Sequence, residues 1–271
     1  MPGCRYKPQG VLGALVECLW YWEGAPGPHL QERLLPQAQA AMILNLRDEP
    51  IAIYEDAGGA QTYGTAAFSG ARSNCFTIDS NQQERVIGVQ FAPGGAFPFF
   101  RMPMSELEDA SFDMTDLWGK EAGWVRERVL AAATPRAMLE VLERCLMEIL
   151  KAPDKLHSSV IYMASELDIC DGPARVRTVT GRIGLSQRRL TQLFHEQVGV
   201  SPKTFHRVRR FQHTLQRLRG VRDVDWADLA VECGYYDQAH LSRDFRQIAG
   251  MTPSTYLAAA TEHLNHVPLK D

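Results

Sequence analysis

The sequence predicts an α+β chain in three parts: a β-rich N-terminal half forming a small barrel or sandwich, a helical linker, and an all-α C-terminal domain holding two helix-turn-helix units. Three observations carry this. Residues 1–115 are filled by short apolar runs punctuated by Gly and Pro, a helical apolar stripe follows, and a pattern near the C-terminus recurs at a fixed offset.

The N-terminal runs are VECLWYWEG, AAMILNLRD, IAIYED, AFSGARSNCFTI and RVIGVQFAPGGAFPFF. Strand-length segments bounded by turn residues point to an antiparallel sheet curled on itself. Residues 116–154 read as helical, with Thr134 as an N-cap and Pro135 at the first helical position. Met138, Val141, Leu142, Cys145, Leu146 and Ile149 form the stripe, which suits a helix laid on its own sheet and a contact with a second copy equally well. Ala152-Pro153-Asp154 reads as a hinge.

The recurrence sets LTQLFHEQVGVSPKTF (Leu190 to Phe205) against LSRDFRQIAGMTPSTY (Leu241 to Tyr256) at an offset of 51. Leu190 matches Leu241, Phe194 matches Phe245, Gly199 matches Gly250 and Pro202 matches Pro253; upstream the offset is 50, pairing Gly184 with Gly234 and Val179 with Leu229. Internal repeats expose the structural unit, here helix, Gly-centred turn, helix and a Pro stop. Ser186 and Asp237 stand where N-caps belong, and Gly199 and Gly250 where a helix ends in a left-handed residue. Two copies of one solvent-facing polar pattern are hard to explain by packing alone.

Charge separates the halves. The chain carries −3, but residues 1–154 hold 13 Lys and Arg against 20 Asp and Glu, a net of −7, and residues 155–271 hold 16 against 12, a net of +4. Within residues 172–222 there are 12 basic residues and one acid, Glu196. A basic run coinciding with the repeat is an electrostatic footprint for phosphate. Between the units, Phe205 to Gly220 reads as one long helix with an apolar stripe of Phe205, Val208, Phe211, Leu215 and Leu218, and with Arg207, Arg209, Arg210, Arg217 and Arg219 over the remaining surface. Such a rod helps to set two reading helices into successive major-groove segments, roughly 34 Å apart.

Other chemistries find little support. Residues 1–150 contain one histidine, His29, too few for a His-ligated metal enzyme. The six cysteines form no C-x-x-C pair and scatter over both halves, which fits a reducing compartment. Gly94-Gly95 lacks the spacing and the Lys of a phosphate loop and reads as a turn. No 18-residue apolar run and no charged-then-apolar leader is present, so neither a membrane span nor secretion is expected.

With these residues in view, positions from about 157 to 260 resemble the DNA-binding domain of the AraC/XylS family of bacterial transcription regulators. DLAVECGYYDQAHLSRDFRQIAGMTPSTY carries most of the signature, departing at Tyr235, Ala239 and Leu241; the first unit departs at Thr180 and Gly181. More loosely, the early WYWEG, Leu35-Pro36 before an apolar strand, and GVQFAPGGAFPFF are similar to the cupin-like sensor domains that precede such domains. The resemblance implies a sensor at 1–115, a helical and dimerising linker at 116–154, a double helix-turn-helix domain at 155–260, and a tail at 261–271 on which His263 and His266 are surface residues.

It also implies a sequence-specific DNA-binding regulator of the bacterial cytoplasm and nucleoid, answering to a small-molecule effector, with no enzymatic activity, catalytic residue, metal or cofactor. Expected partners are double-stranded DNA over two adjacent major-groove segments, the effector, a second copy, and RNA polymerase if the regulation is activation. DNA-contacting residues are expected to be Gln187, Arg188, Arg189, Thr191, Gln192 and His195 in the first unit, Gln238, His240, Ser242 and Arg243 in the second, and Arg209 and Arg210 between them. Arg suits the O6/N7 edge of guanine and Gln the N6/N7 edge of adenine. Trp20, Trp22, Arg33 and Phe91 are the candidate effector residues. The rival reading is a ligand-binding or enzymatic cupin-like module with a degenerate C-terminal domain; the retained arginines and both polar faces argue against it.

Overall fold

A computed structural model of the chain describes residues 3–24, 31–55, 59–100, 102–150, 155–168, 184–221 and 223–269. The first helix expected of the first unit, with Val179, Thr180 and Gly181, lies outside the described residues, as do His29, Cys170 and the hinge at 152–154.

The N-terminal half forms two antiparallel sheets. The first orders its strands β1 (Gly3–Tyr6), β2 (Val16–Glu23), β9 (Arg85–Phe91), β4 (Ala41–Asn45), β7 (Ala66–Ser69) and β10 (Ser111–Asp113). The second runs β11 (His266–Pro268), β3 (Gln31–Leu34), β8 (Phe76–Asp79), β5 (Ile51–Glu55) and β6 (Gly59–Tyr63). Both sheets are open, so the expectation of a barrel or sandwich resolves to the sandwich-like form with no closed barrel. Ile43 and Ala67 of the first sheet meet Ile51, Ile53, Tyr63 and Phe76 of the second. On the opposite face Leu19, Met42, Leu44, Phe68, Ile87, Val89 and Phe91 pack beneath helices rather than beneath more sheet.

Those helices are α2 (Met114–Trp118), α3 (Lys120–Leu130) and α4 (Pro135–Ile149), which follow the short α1 (Gly10–Leu15). Thr134 caps α4 by accepting from the Ala137 amide, with Pro135 at the first turn as expected. Met138, Leu142, Cys145, Leu146 and Ile149 are buried against the chain's own first sheet and α3, so the stripe is covered from within.

The core does not break at residue 155. One cluster runs from the first sheet through α5 (Ser158–Leu167) into Leu190, Phe194, Phe205 and Val208. A second gathers Phe211, Leu215, Leu218, Leu229, Leu241, Phe245 and Tyr256 around Leu35, Cys75 and Val267. The connecting helix α7 (Pro202–Leu218) spans both and, at about 1.5 Å per residue, is about 25 Å long.

The tail keeps His263 exposed, as expected, but it also returns to the N-terminal half, where β11 pairs with β3 through His266↔Leu34, Val267↔Arg33 and Pro268↔Glu32. Val267 is buried, His266 Nδ1 lies 2.6 Å from Glu32 Oε2, and the His263 ring meets Trp22 edge-on at 5.3 Å. A three-residue strand has too little alternation to be read from sequence; the unpaired edge of β3 is what gives it a place.

Candidate nucleic-acid interface

The second unit shows how local sequence builds the site. Helix α8 (Trp226–Glu232) is capped by Asp225, which accepts from the Ala227 and Asp228 amides. Gly234, at φ +73°, turns the chain where a side chain would be strained. Asp237 then caps the second reading helix, α9 (Gln238–Ala249), by accepting from the His240 amide at 2.7 Å. The helix ends at Gly250 in the left-handed region, and Thr252 caps α10 (Pro253–Ala259). Leu241 and Phe245 fill the inner face, the Phe245 ring lying 4.9 Å from Phe211 and 5.6 Å from Tyr256.

The first reading helix, α6 (Gln187–Val198), repeats the plan. Ser186 accepts from the Arg189 amide, Gly199 terminates it at φ +103°, and Leu190 and Phe194 are buried, the latter 5.4 Å from Phe205. Both expected caps and both left-handed glycines are present. Inward apolar anchors with capped ends leave the remaining side chains to solvent.

Outward on the first helix stand Gln187, Arg188, Arg189 and Gln192, with Thr191 half-exposed. On the second stand Gln238 and Arg243, with His240 and Ser242 half-exposed. Among the described residues no carboxylate pairs with Arg188, Arg189 or Arg243. Tyr236, Asp237, His240, Arg243, Asp244 and Gln247 line a shallow groove of about 400 Å³. Tyr236, 88% exposed in the turn before the second reading helix, was not singled out in the sequence; the doubled Tyr of GYYD, one buried and one bare, was the available signal.

Three expected DNA contacts are otherwise engaged. His195 Nε2 donates to Glu108 of the N-terminal half at 2.9 Å, so it sits at the seam between the halves. Arg210 is only 9% exposed: its guanidinium donates to Asp244 Oδ2 at 2.9 Å and lies 4.1 Å over the Tyr235 ring. Arg209 is tied to Asp168 at the end of α5. The expectation that arginines cover the outside of α7 holds for Arg217 and Arg219, which are exposed, Arg217 beside Glu232, whereas Arg207 is tied to Asp244. Asp244 is shared by Arg207 and Arg210, Asp168 holds Arg209, and Glu232 lies beside Arg217, pairings that composition along the chain does not reveal.

Asp168 gathers a second partner. Burial alone would raise its carboxyl, but hydrogen bonds from His213 and Arg209 outweigh this and hold it down to about 2. His213 is raised in turn by its hydrogen bond to Asp168. This cluster fixes the end of α5 to the connecting helix.

The four effector candidates do not converge. Phe91 is fully buried, its ring 5.5 Å from Phe99 and 6.3 Å from Phe68. Arg33 Nη1 reaches the Ala249 carbonyl at 3.4 Å, at the end of the second reading helix. Trp20 lies beside Gly88 and Ile43 in register across three strands, on the face turned toward the second sheet, and Trp22 follows on that face. Among the described residues no cluster of three or more His, Cys, Asp or Glu could hold a metal ion, and no helix is long and apolar enough to cross a membrane.

Known proteins bear on this geometry directly. Residues 179–259 match a family described as a helix-turn-helix domain, and residues 4–113 a family described as a domain of unknown function (DUF6597). The chain is 26% identical over 117 residues to the arabinose operon regulatory protein of Escherichia coli (strain K12), covering 43% of this chain and 39% of that protein. It is 39% identical over 72 residues to the HTH-type transcriptional activator RhaR of Yersinia pseudotuberculosis, covering 27% of this chain and 24% of that protein. The chain therefore spans less than half the length of the curated relatives it matches. A solved structure of ToxT from Vibrio cholerae aligns over 89% of this chain and 97% of its own, at a TM-score of 0.46 and 11% identity. Through its capped reading helices and the match over residues 179–259, the C-terminal part of the chain is similar to the helix-turn-helix domains of these transcription regulators.

Proposed function

We propose that the chain is a bacterial, cytoplasmic transcription regulator that binds DNA through both helix-turn-helix units and answers to a small molecule held by its N-terminal half. The supporting observation is the pair of reading helices, each anchored by Leu and Phe within and each presenting outward polar side chains whose arginines, Arg188, Arg189 and Arg243, have no carboxylate partner among the described residues. In this reading residues 1–115 form the sensor, 116–154 the helical layer on it, and 155–260 the DNA-binding domain, with residues 261–269 strapping the two together. The base and phosphate contacts fall to Gln187, Arg188, Arg189, Thr191, Gln192, Gln238, His240, Ser242 and Arg243. Arg209, Arg210 and His195 act within the protein.

Trp20 and Trp22, facing the second sheet, are the sensor residues best placed to meet an effector; Phe91 and Arg33 serve packing and the seam. A second copy and RNA polymerase remain partners of the regulator proposed here. Binding to a random-sequence duplex pool, with selection and sequencing of the bound fraction, tests the function. Enrichment of a site with two half-elements about one helical turn apart supports it, and no retained duplex at any salt concentration refutes it.

A further inference from the structure

We infer that Asp244 is a specificity-determining residue: it withholds Arg207 and Arg210 from the DNA backbone and uses them to align the second reading helix. The inference rests on the reading that the C-terminal domain binds DNA.

Asp244 lies within the reading helix one residue after Arg243 and one before the buried Phe245, yet it is itself only 7% exposed. Both carboxylate oxygens are occupied from the connecting helix. Arg207 Nε donates to Oδ1 at 2.5 Å and Arg210 Nη2 donates to Oδ2 at 2.9 Å. Arg210 also lies over Tyr235, in the turn that leads into the reading helix, and its Nη1 reaches the Gly234 carbonyl at 3.5 Å. Arg207 extends the contact along the helix through Gln247 Oε1 at 2.7 Å. One carboxylate thus ties together the reading helix, the turn before it and the rod connecting it to the first unit.

The charge arithmetic matters as much as the geometry. A solvent-facing arginine beside a major-groove helix is a phosphate ligand for any sequence, raising affinity without discrimination. The Arg207 side chain is still 37% exposed, so what keeps it from the phosphates is its partner rather than its burial. The first unit carries no counterpart: the equivalent position is Leu193, an apolar core residue.

The test uses the full-length chain, a duplex selected from the random pool and a scrambled duplex of equal length. In Asp244→Asn one oxygen becomes an amide donor and the charge is lost. The preference for the selected over the scrambled duplex should fall about ten-fold, the worth of one misaligned base contact. On the scrambled duplex the slope of log K against log salt should steepen by about 0.9 for each phosphate newly engaged. In a folded variant, an unchanged preference or an unchanged slope overturns the inference.

Should Asp244→Asn fail to fold, Arg207→Gln decides. It should leave the scrambled-duplex slope unchanged, because Arg207 is not a phosphate ligand. A slope shallower by about 0.9 overturns the inference. Failure of the wild-type chain to bind either duplex refutes the proposed function instead, so the two failures are distinguishable.

Discussion

The two reading helices share a plan and differ in what holds them. The first reading helix is part of a core continuous with the sensor sheet, and its far end meets Glu108 of the sensor through His195. The second belongs to a cluster of its own, which the N-terminal half meets through Leu35, Cys75, Arg33 and the returning tail, and is locked to the connecting helix by Asp244. Their outward faces differ too, Arg188 and Arg189 standing where the second unit has Ala239 and His240. The lesson is that one repeat can be duplicated as a scaffold while its anchoring and its reading chemistry diverge. The first helix shares a continuous core with the N-terminal sheet, and the second meets that half through fewer residues.

The largest effects should break the comparison at the cores. Phe194→Ala and Phe245→Ala each remove a fully buried ring and should each cost about 3–5 kcal/mol in denaturant unfolding. Their reach should differ: hydrogen exchange should show Phe194→Ala loosening amides of the sensor sheet, with Phe245→Ala leaving them protected. Equal protection of the sheet in both variants contradicts the continuous core. Next come the reading faces, where Arg189→Ala and Arg243→Ala should each cost about 1–3 kcal/mol at the preferred site and relax one base position, in different half-sites. Arg209→Ala, bound to Asp168, should instead lower thermal stability and leave the salt slope of DNA binding where it was.

Smaller effects sharpen the comparison. Ser186→Ala and Asp237→Ala each leave a reading helix uncapped and should each cost about 1 kcal/mol in chemical unfolding. The clasp between α5 and the connecting helix should give a pH signature. Asp168, held down to about 2, contributes stability above the ordinary carboxyl value of about 3.9, lost as pH falls toward 2. His213, raised by Asp168, contributes fully below its ordinary value of about 6.5, and that share is lost as pH rises through the raised value. Melting temperature should therefore peak between those limits, and His213→Gln should flatten the alkaline side; an unaltered alkaline limb removes His213 from the clasp.

Both reading helices were legible because their signals are local. Caps at Ser186 and Asp237, left-handed ends at Gly199 and Gly250, and the Leu and Phe anchors each act within about one helical turn. The strands of the sensor were legible as strands, but their division into two open sheets depends on register and edge pairing between segments far apart in sequence. The same distance hid the fate of the arginines. Arg210 and Asp244 are 34 residues apart, His195 and Glu108 are 87 apart, and His266 and Glu32 are 234 apart. A basic run in sequence could be read as a free surface only until its partners were placed.

Both units are expected to read DNA at once, each through its own outward face. Footprinting of the full-length chain on its selected duplex measures this most directly, run beside Arg189→Ala and Arg243→Ala. Two protected major-groove segments are expected on one face of the duplex, roughly 34 Å apart, with each variant losing protection mainly at its own segment. A single protected segment, or loss of both segments together in either variant, would contradict it.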